Sequence, residues 1–139
     1  MTQTFSTSWN RSIKPRKQRK FRYNAPLHVK QKLMHVHLSP ELRKKYGKRC
    51  LELRSGDKIK VLRGQFKKKE GKVEKISLKR ERVLVTGVEV IKKEGTKLLF
   101  PLRASNLMIT DLDLNDKRRK QKLEQNKKAE AQGKAKKSN

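Results

Sequence analysis

The stretch richest in chemistry runs Gly56-Asp57-Lys58-Ile59-Lys60-Val61-Leu62-Arg63-Gly64-Gln65-Phe66-Lys67-Lys68-Lys69-Glu70-Gly71-Lys72-Val73. Lys58 to Val61 alternates polar and apolar, which reads as a strand, and a second strand starts at Gly71. Gly64 and Gly71 bracket a loop whose tip is Lys67-Lys68-Lys69. Three adjacent ammonium groups gather charge where a phosphate backbone can approach. A solvated hairpin tip is the plain alternative. At Gly71 a side chain would crowd the neighbouring backbone. Upstream, Arg11, Lys14, Arg16, Lys17, Arg19, Lys20 and Arg22 stand beside Trp9, Phe21 and Tyr23. Guanidinium forks among aromatic rings suit phosphates and unstacked bases. The same composition also describes a disordered cationic tail, and it leaves both readings open.

Other residues join or leave this set on simple grounds. Lys79 and Arg80 fall on an expected turn and should face RNA. Lys30, Lys32, Lys72, Arg118 and Arg119 are counted with them. Arg63 and Arg82 either contact RNA or pair with Glu70 and Glu81. Ser105 and Asn106 can bond a phosphate or a 2′-hydroxyl, or close a local turn. Phe66 and Phe100 are expected in the core. His28, His35, His37 and Cys50 raise zinc, but their spacing fits no usual finger and the second cysteine pair is missing. His28 is better read as an RNA or packing contact. No nucleophile-and-base set and no paired carboxylates are visible. Gly64 to Gly71 is too long for a phosphate-cradling loop and continues into Lys-Val. No catalytic residue, metal or cofactor is expected, and no small-molecule substrate.

Composition points to the partner. The chain has 139 residues, with 40 Lys and Arg against 13 Asp and Glu, a net charge of +27. Only 32% of residues are hydrophobic, too few to bury a core along the whole length. A coat so cationic repels itself, and a polyanion relieves the repulsion. Nucleic acid is the leading partner. An anionic membrane surface would require an amphipathic helix with a large apolar face, which is not found. The longest apolar run, Leu98-Leu99-Phe100, cannot span a bilayer, so no membrane insertion is expected. MTQTFSTSWNRS has no apolar stretch of signal-peptide length. The single cysteine, Cys50, fits a reducing compartment.

The elements that would position these residues fall into four parts. Residues 1–23 read as a basic extended arm. Residues 24–54 read as short helices packing on the domain or on RNA: Asn24 caps one with Pro26 in its first turn, and Ser39 caps another, followed by Pro40 and closed by Gly47. Residues 55–112 carry five or six short strands, with Val73 and Ile76 out of phase as at a bulge. Such spacing describes a small barrel. Residues 113–139 read as a basic extension, a helix that frays because it has almost nothing to bury.

The Gly56–Val73 stretch resembles the KOW motif of small RNA-associated barrels. PRKQRKFRYNAPLH at 15–28 and LSPELRKKYGKR at 38–49 resemble segments of one universal large-subunit ribosomal protein family. The family is numbered twenty-four in bacteria and archaea and twenty-six in eukaryotes. Leu78-Lys79-Arg80, Ser105-Asn106 before Leu107-Met108-Ile109, and Asp116-Lys117-Arg118-Arg119 continue the likeness in family order, over roughly residues 14–120. The short hairpin before Gly71 resembles the archaeal form. Lys68 stands where members commonly have glycine, Arg103-Ala104 where His-Pro is common, and Glu74 where an apolar residue is usual. The resemblance implies a mainly β fold with an SH3-like barrel. It also implies a structural role in the large subunit, on its ribosomal RNA and beside neighbouring ribosomal proteins. Early assembly and a place near the mouth of the nascent-peptide tunnel follow from the same likeness, in a cytoplasmic ribosome. A KOW-bearing elongation factor would need an α/β domain ahead of the barrel, and residues 1–54 are too short and too basic for one. A DNA-coating protein is the other rival.

Overall fold

Pro15 occupies the first helical position, and a run of Arg, Lys and Gln without β-branched residues carries helix α1 over Pro15–Asn24. It ends because Ala25 precedes Pro26 and is extended, with ψ 132°. The segment expected as an extended arm is thus helical over these residues. Helix α2 spans Leu27–Leu33. Asn24 does not cap it, being the last residue of α1; Pro26 holds the cap position without a side-chain bond. Helix α3 spans Pro40–Tyr46 and has the caps its sequence announces. Ser39 Oγ accepts from Leu42 N at 3.3 Å, and Gly47 closes the helix at φ 65°.

The computed structural model describes residues 5–6 and 11–124. Its strands are β1 (His35–Leu38), β2 (Cys50–Glu52), β3 (Lys58–Val61), β4 (Glu70–Ser77), β5 (Arg82–Val85), β6 (Glu89–Ile91), β7 (Lys97–Leu99) and β8 (Leu107–Asp111). A 3-10 turn, Ala104–Asn106, precedes β8, and residues 117–124 are helical. The fold is mainly β, but the strands do not close into the expected barrel. Six of them form one mixed sheet in the order β2-β1-β8-β3-β4-β5. The pairing of β1 with β8 is parallel. Strands β6 and β7 pair only with each other. Two causes explain the difference. Residues 89–99 leave the sheet as a ribbon instead of extending it, and its far side is supplied by β1 and β2, from a region read as helical.

The bulge is where the sequence places it. Pairing of β4 with β5 slips between Val73 and Lys75, so Val73 faces the core and Ile76 pairs across from buried Val83. Gly71 is obligatory: a Cβ there would stand 2.2 Å from the Thr86 carbonyl oxygen. Met34, Val36, Leu38, Ile59, Val61, Val73, Val83, Val85, Leu107 and Ile109 form the core. Leu123 from the helix at 117–124 joins them at 1% exposure. That helix therefore has something to bury, contrary to expectation. Phe66 is buried as expected, but Phe100, expected in the core with it, is exposed, its tilted ring 5.2 Å from that of Phe66 at the edge of the core.

Candidate nucleic-acid interface

Helix α1 displays most of the predicted arm. Arg16, Lys17, Arg19, Lys20 and Arg22 are exposed along it, with Lys14 at its N-cap and Arg11 just upstream. Phe21 alone turns inward, its ring 5.0 Å from that of Phe5. Tyr23 is 84% exposed, its ring open to stacking. Trp9 lies outside the described residues. On α2, His28 and Lys32 are exposed. Lys30 is not: it is 8% exposed, and its Nζ donates to the Tyr23 carbonyl at 3.1 Å. That carbonyl sits in the last turn of α1, where helix geometry leaves an acceptor without a partner. Lys30 thus joins α1 to α2 and leaves the predicted contact set.

The loop between β3 and β4 carries the lysine tip into solvent. Lys67, Lys68 and Lys69 are exposed, as are Arg63 before them and Lys72 after. Lys68, at the position commonly glycine, adopts φ 74°, the left-handed region that glycine suits. Lys69 Nζ lies 5.2 Å from the centre of the Phe66 ring, a cation–π contact that ties the tip to the core aromatic. Neither candidate arginine pairs with the expected carboxylate. Glu70 takes Lys60 at 2.8 Å, and Glu81 takes Arg22 at 4.0 Å. Arg82 donates to the Glu81 backbone carbonyl at 3.2 Å.

Distant segments converge at two places. Arg22, Arg82 and Ser105 line one cleft of about 180 Å³, together with Arg103 and Glu81. Lys79 and Arg80 lie exposed on the neighbouring turn. Ser105 and Asn106 occupy the 3-10 turn, held by Asn106 N donating to Arg103 O and Asn106 O accepting from Leu62 N. A second cleft, about 310 Å³, runs between β2 and the helix at 117–124, lined by His35, Lys48, Cys50, Arg54, Arg118 and Lys122 among others. Lys48, Arg54, Arg103 and Lys122 escaped sequence reading because nothing local distinguishes them from solvated cations. His37 lies across from Cys50 on the paired strands β1 and β2. Among the described residues no three His, Cys, Asp or Glu side chains are grouped to hold a metal ion. None of the described helices is long and apolar enough to cross a membrane.

Arg119 reverses its predicted role. It is 6% exposed, and its fork grips fully buried Asp57 through Nη1 at 2.6 Å and Nη2 at 2.8 Å. Two backbone carbonyls, of Asp113 and Glu52, accept its remaining bonds. Asp57 also accepts from the backbone N–H groups of Arg54 and Asp113. A buried charge pair is tolerated when its polar groups are bonded in this way, here both Nη groups of Arg119 and both Asp57 oxygens. Arg118, one residue earlier, stays exposed. Asp116 caps the same helix, accepting from Arg118 N at 2.8 Å and from the Arg54 guanidinium. The Arg54 bond, and then the Arg118 N–H, hold the Asp116 carboxyl below the usual carboxylate range.

The chain matches the family described as ribosomal proteins L26 of eukaryotes, with their archaeal counterparts numbered twenty-four, over residues 12–126. It is 50% identical over 108 residues to the large ribosomal subunit protein uL24 of Methanothrix thermoacetophila, covering 78% of this chain and 93% of that one. The protein of the same name from Methanospirillum hungatei is 50% identical over 112 residues, 81% of this chain and 93% of its own. That of Methanosphaera stadtmanae is 46% identical over 112 residues, 81% of this chain and 96% of its own. On the breadth of that match, which takes in the lysine-tipped loop, α1 and the Arg119–Asp57 clasp alike, the chain belongs to this family of ribosomal proteins, twenty-six in eukaryotes and twenty-four in archaea.

Proposed function

We propose that this protein is a structural constituent of the large ribosomal subunit that binds large-subunit ribosomal RNA, with no catalytic role. The observation that carries this reading is the division of its cations. Lys30 and Arg119 are folded in, whereas Arg16, Lys17, Arg19, Lys67, Lys68, Lys79 and Arg80 stand in solvent on three separate elements. With a net charge of +27, those groups repel one another until a polyanion draws near. Helix α1 shows the effect locally. Its first turn holds no carboxylate, so the positive end of its dipole meets Arg16 and Lys17. A phosphate placed there turns a repulsive arrangement into an attractive one.

The finer reading follows the family. The β3–loop–β4 unit is taken as its KOW element, with the lysine tip on phosphates and Tyr23 on a base or ribose. Arg11, Lys14, Lys20, Arg22, His28, Lys32, Arg63, Lys72, Arg82, Ser105, Asn106 and Arg118 complete the contact set. The protein joins early in subunit assembly, sits near the tunnel exit beside other large-subunit proteins, and works in the cytoplasm. Binding of the full chain to large-subunit RNA transcripts, measured against salt, tests the core of this. Each phosphate contact should add roughly 0.7 to 0.9 to the steepness of log K against log salt. Salt-indifferent binding, or equal affinity for duplex DNA, overturns the assignment.

A further inference from the structure

We infer that the outward face of β4 and β5 is a pocket for one unpaired RNA nucleotide. This deepens the RNA-binding reading above and rests on it. The pocket is a depression half open to solvent, of about 620 Å³, lined by Lys75, Ser77, Arg80, Arg82, Leu84 and Pro101. Sites for small organic ligands span roughly 300–1,000 Å³.

The bulge builds this face. Val73, Lys75 and Ser77 share one parity, and in a regular strand all three would point the same way. The register slip after Val73 breaks that parity, so Ile76 pairs across from buried Val83, while Lys75 pairs with Leu84 and Ser77 with Arg82 on the other face. The antiparallel bridge between Val83 and Leu102 then sets Pro101 across from Leu84. The result is an apolar floor, Leu84 beside Pro101, with Lys75 across from Leu84 on β4 and Arg82 two residues along β5, followed by Arg80 on the turn. Arg82 is half-buried and steadied by its bond to the Glu81 carbonyl.

The chemistry of the lining selects the ligand. Three cations and, among the described residues, no carboxylate lining the pocket call for an anion. A bare anion would have no use for the apolar floor, and an apolar ligand none for the cations. A nucleotide uses both: phosphate on Lys75 or Arg80, base over Leu84 and Pro101 and against a guanidinium plane. The Ser77 hydroxyl, donor and acceptor at once, matches a ribose 2′-hydroxyl. A paired base cannot enter, because its partner strand keeps it in the stack. The cleft beside the helix at 117–124 lacks this character, since Glu52 lines it and its Arg54 and Arg119 are held by Asp116 and Asp57.

The test compares two RNA hairpins identical except for one bulged nucleotide, with each of the four bases at the bulge. The full chain should bind the best bulged form about tenfold more tightly than the paired one, within the range of one base stack. Leu84→Asn should abolish that preference while affinity for the paired hairpin stays within about twofold, and Arg82→Gln should abolish it too, on top of an equal weakening of both hairpins from its lost charge. A 2′-deoxy sugar at the bulge should weaken binding to the native chain but not to Ser77→Ala. Absence of any preference in the native chain, or its survival in both pocket variants, overturns the pocket. If both hairpins still bind with steep salt dependence, the RNA-binding reading survives that outcome. If neither hairpin nor ribosomal transcripts bind, both readings fall.

Discussion

Two cationic helices, α1 and the helix at 117–124, treat their charge in opposite ways. The helix at 117–124 sends Leu123 into the core and Arg119 onto buried Asp57. Helix α1 buries Phe21 against Phe5, apart from the main core, and turns Arg16, Lys17 and Arg19 to solvent. Its ties include the Lys30 bond to α2 and the partly exposed Arg22–Glu81 pair at the β4–β5 turn. An exposed pair of that kind contributes about 0–1 kcal/mol. The lesson is that basic residues in this protein divide between two tasks. Some hold the fold together, and the rest wait for an external anion.

The sharpest break in this comparison is Asp57→Ala. It would leave the Arg119 guanidinium buried without its carboxylate, a change that costs about 3–5 kcal/mol. Denaturant unfolding should read that loss, and Asp57→Ala with Arg119→Met should recover part of it. A smaller loss for the single change would mean that the helix at 117–124 is held by packing alone. Next comes Leu123→Ala, which opens a cavity against Tyr46 and the core and should cost about 2–5 kcal/mol. Neither change should alter the salt dependence of RNA binding. If either does, the two tasks are not separable.

Which arginine does which task could not be read in advance. Arg118 and Arg119 are adjacent and chemically identical, and what separates them is a carboxylate 62 positions earlier in the chain. Lys30 is hidden for a similar reason, since its partner is a carbonyl that exists only once α1 has formed. Features with local causes were legible. The α3 helix has its Ser39 and Gly47 caps, Gly71 abuts Thr86, and the misphased Val73 and Ile76 mark the slip in β4. Strand β1 was not legible, though His35-Val36-His37-Leu38 alternates, because its support is a parallel partner, β8, some seventy residues downstream. Closure of the sheet was misjudged because strand count and spacing say nothing about which strands pair.

A third prediction concerns α1 alone. Replacing Arg16, Lys17 and Arg19 together by alanine should leave unfolding within about 0.5 kcal/mol, since none of the three is buried and alanine favours helix. The salt slope for ribosomal RNA should flatten by roughly 2–3. Between them, these two readouts separate the helices: the change at Asp57 moves stability and not slope, and the change on α1 moves slope and not stability.

The smallest effect is the pH response of Asp116. Its carboxyl is held below the ordinary value of 3.8, chiefly by Arg54 and then by the N–H of Arg118. A depressed acid stabilises the folded form above its unfolded value, and that contribution fades as pH falls through the lower folded value. The cap should therefore be intact from neutral pH down to about 4 and weaken only in stronger acid. Protection of the Arg118 and Lys120 amides, their exchange relative to an unstructured chain at the same pH, should fall there, while β3 and β8 stay protected. Asp116→Ala should bring the faster exchange to neutral pH, whereas Asp116→Asn, whose amide oxygen still accepts from Arg118 N, should keep the cap and remove the acid step. If exchange at 118–120 keeps its acid step in that variant, Asp116 is not the titrating group. A helix whose N-terminal cap loosens in acid while its Leu123 end stays docked would show that the clasp on the sheet, and not the cap, makes this helix unlike α1.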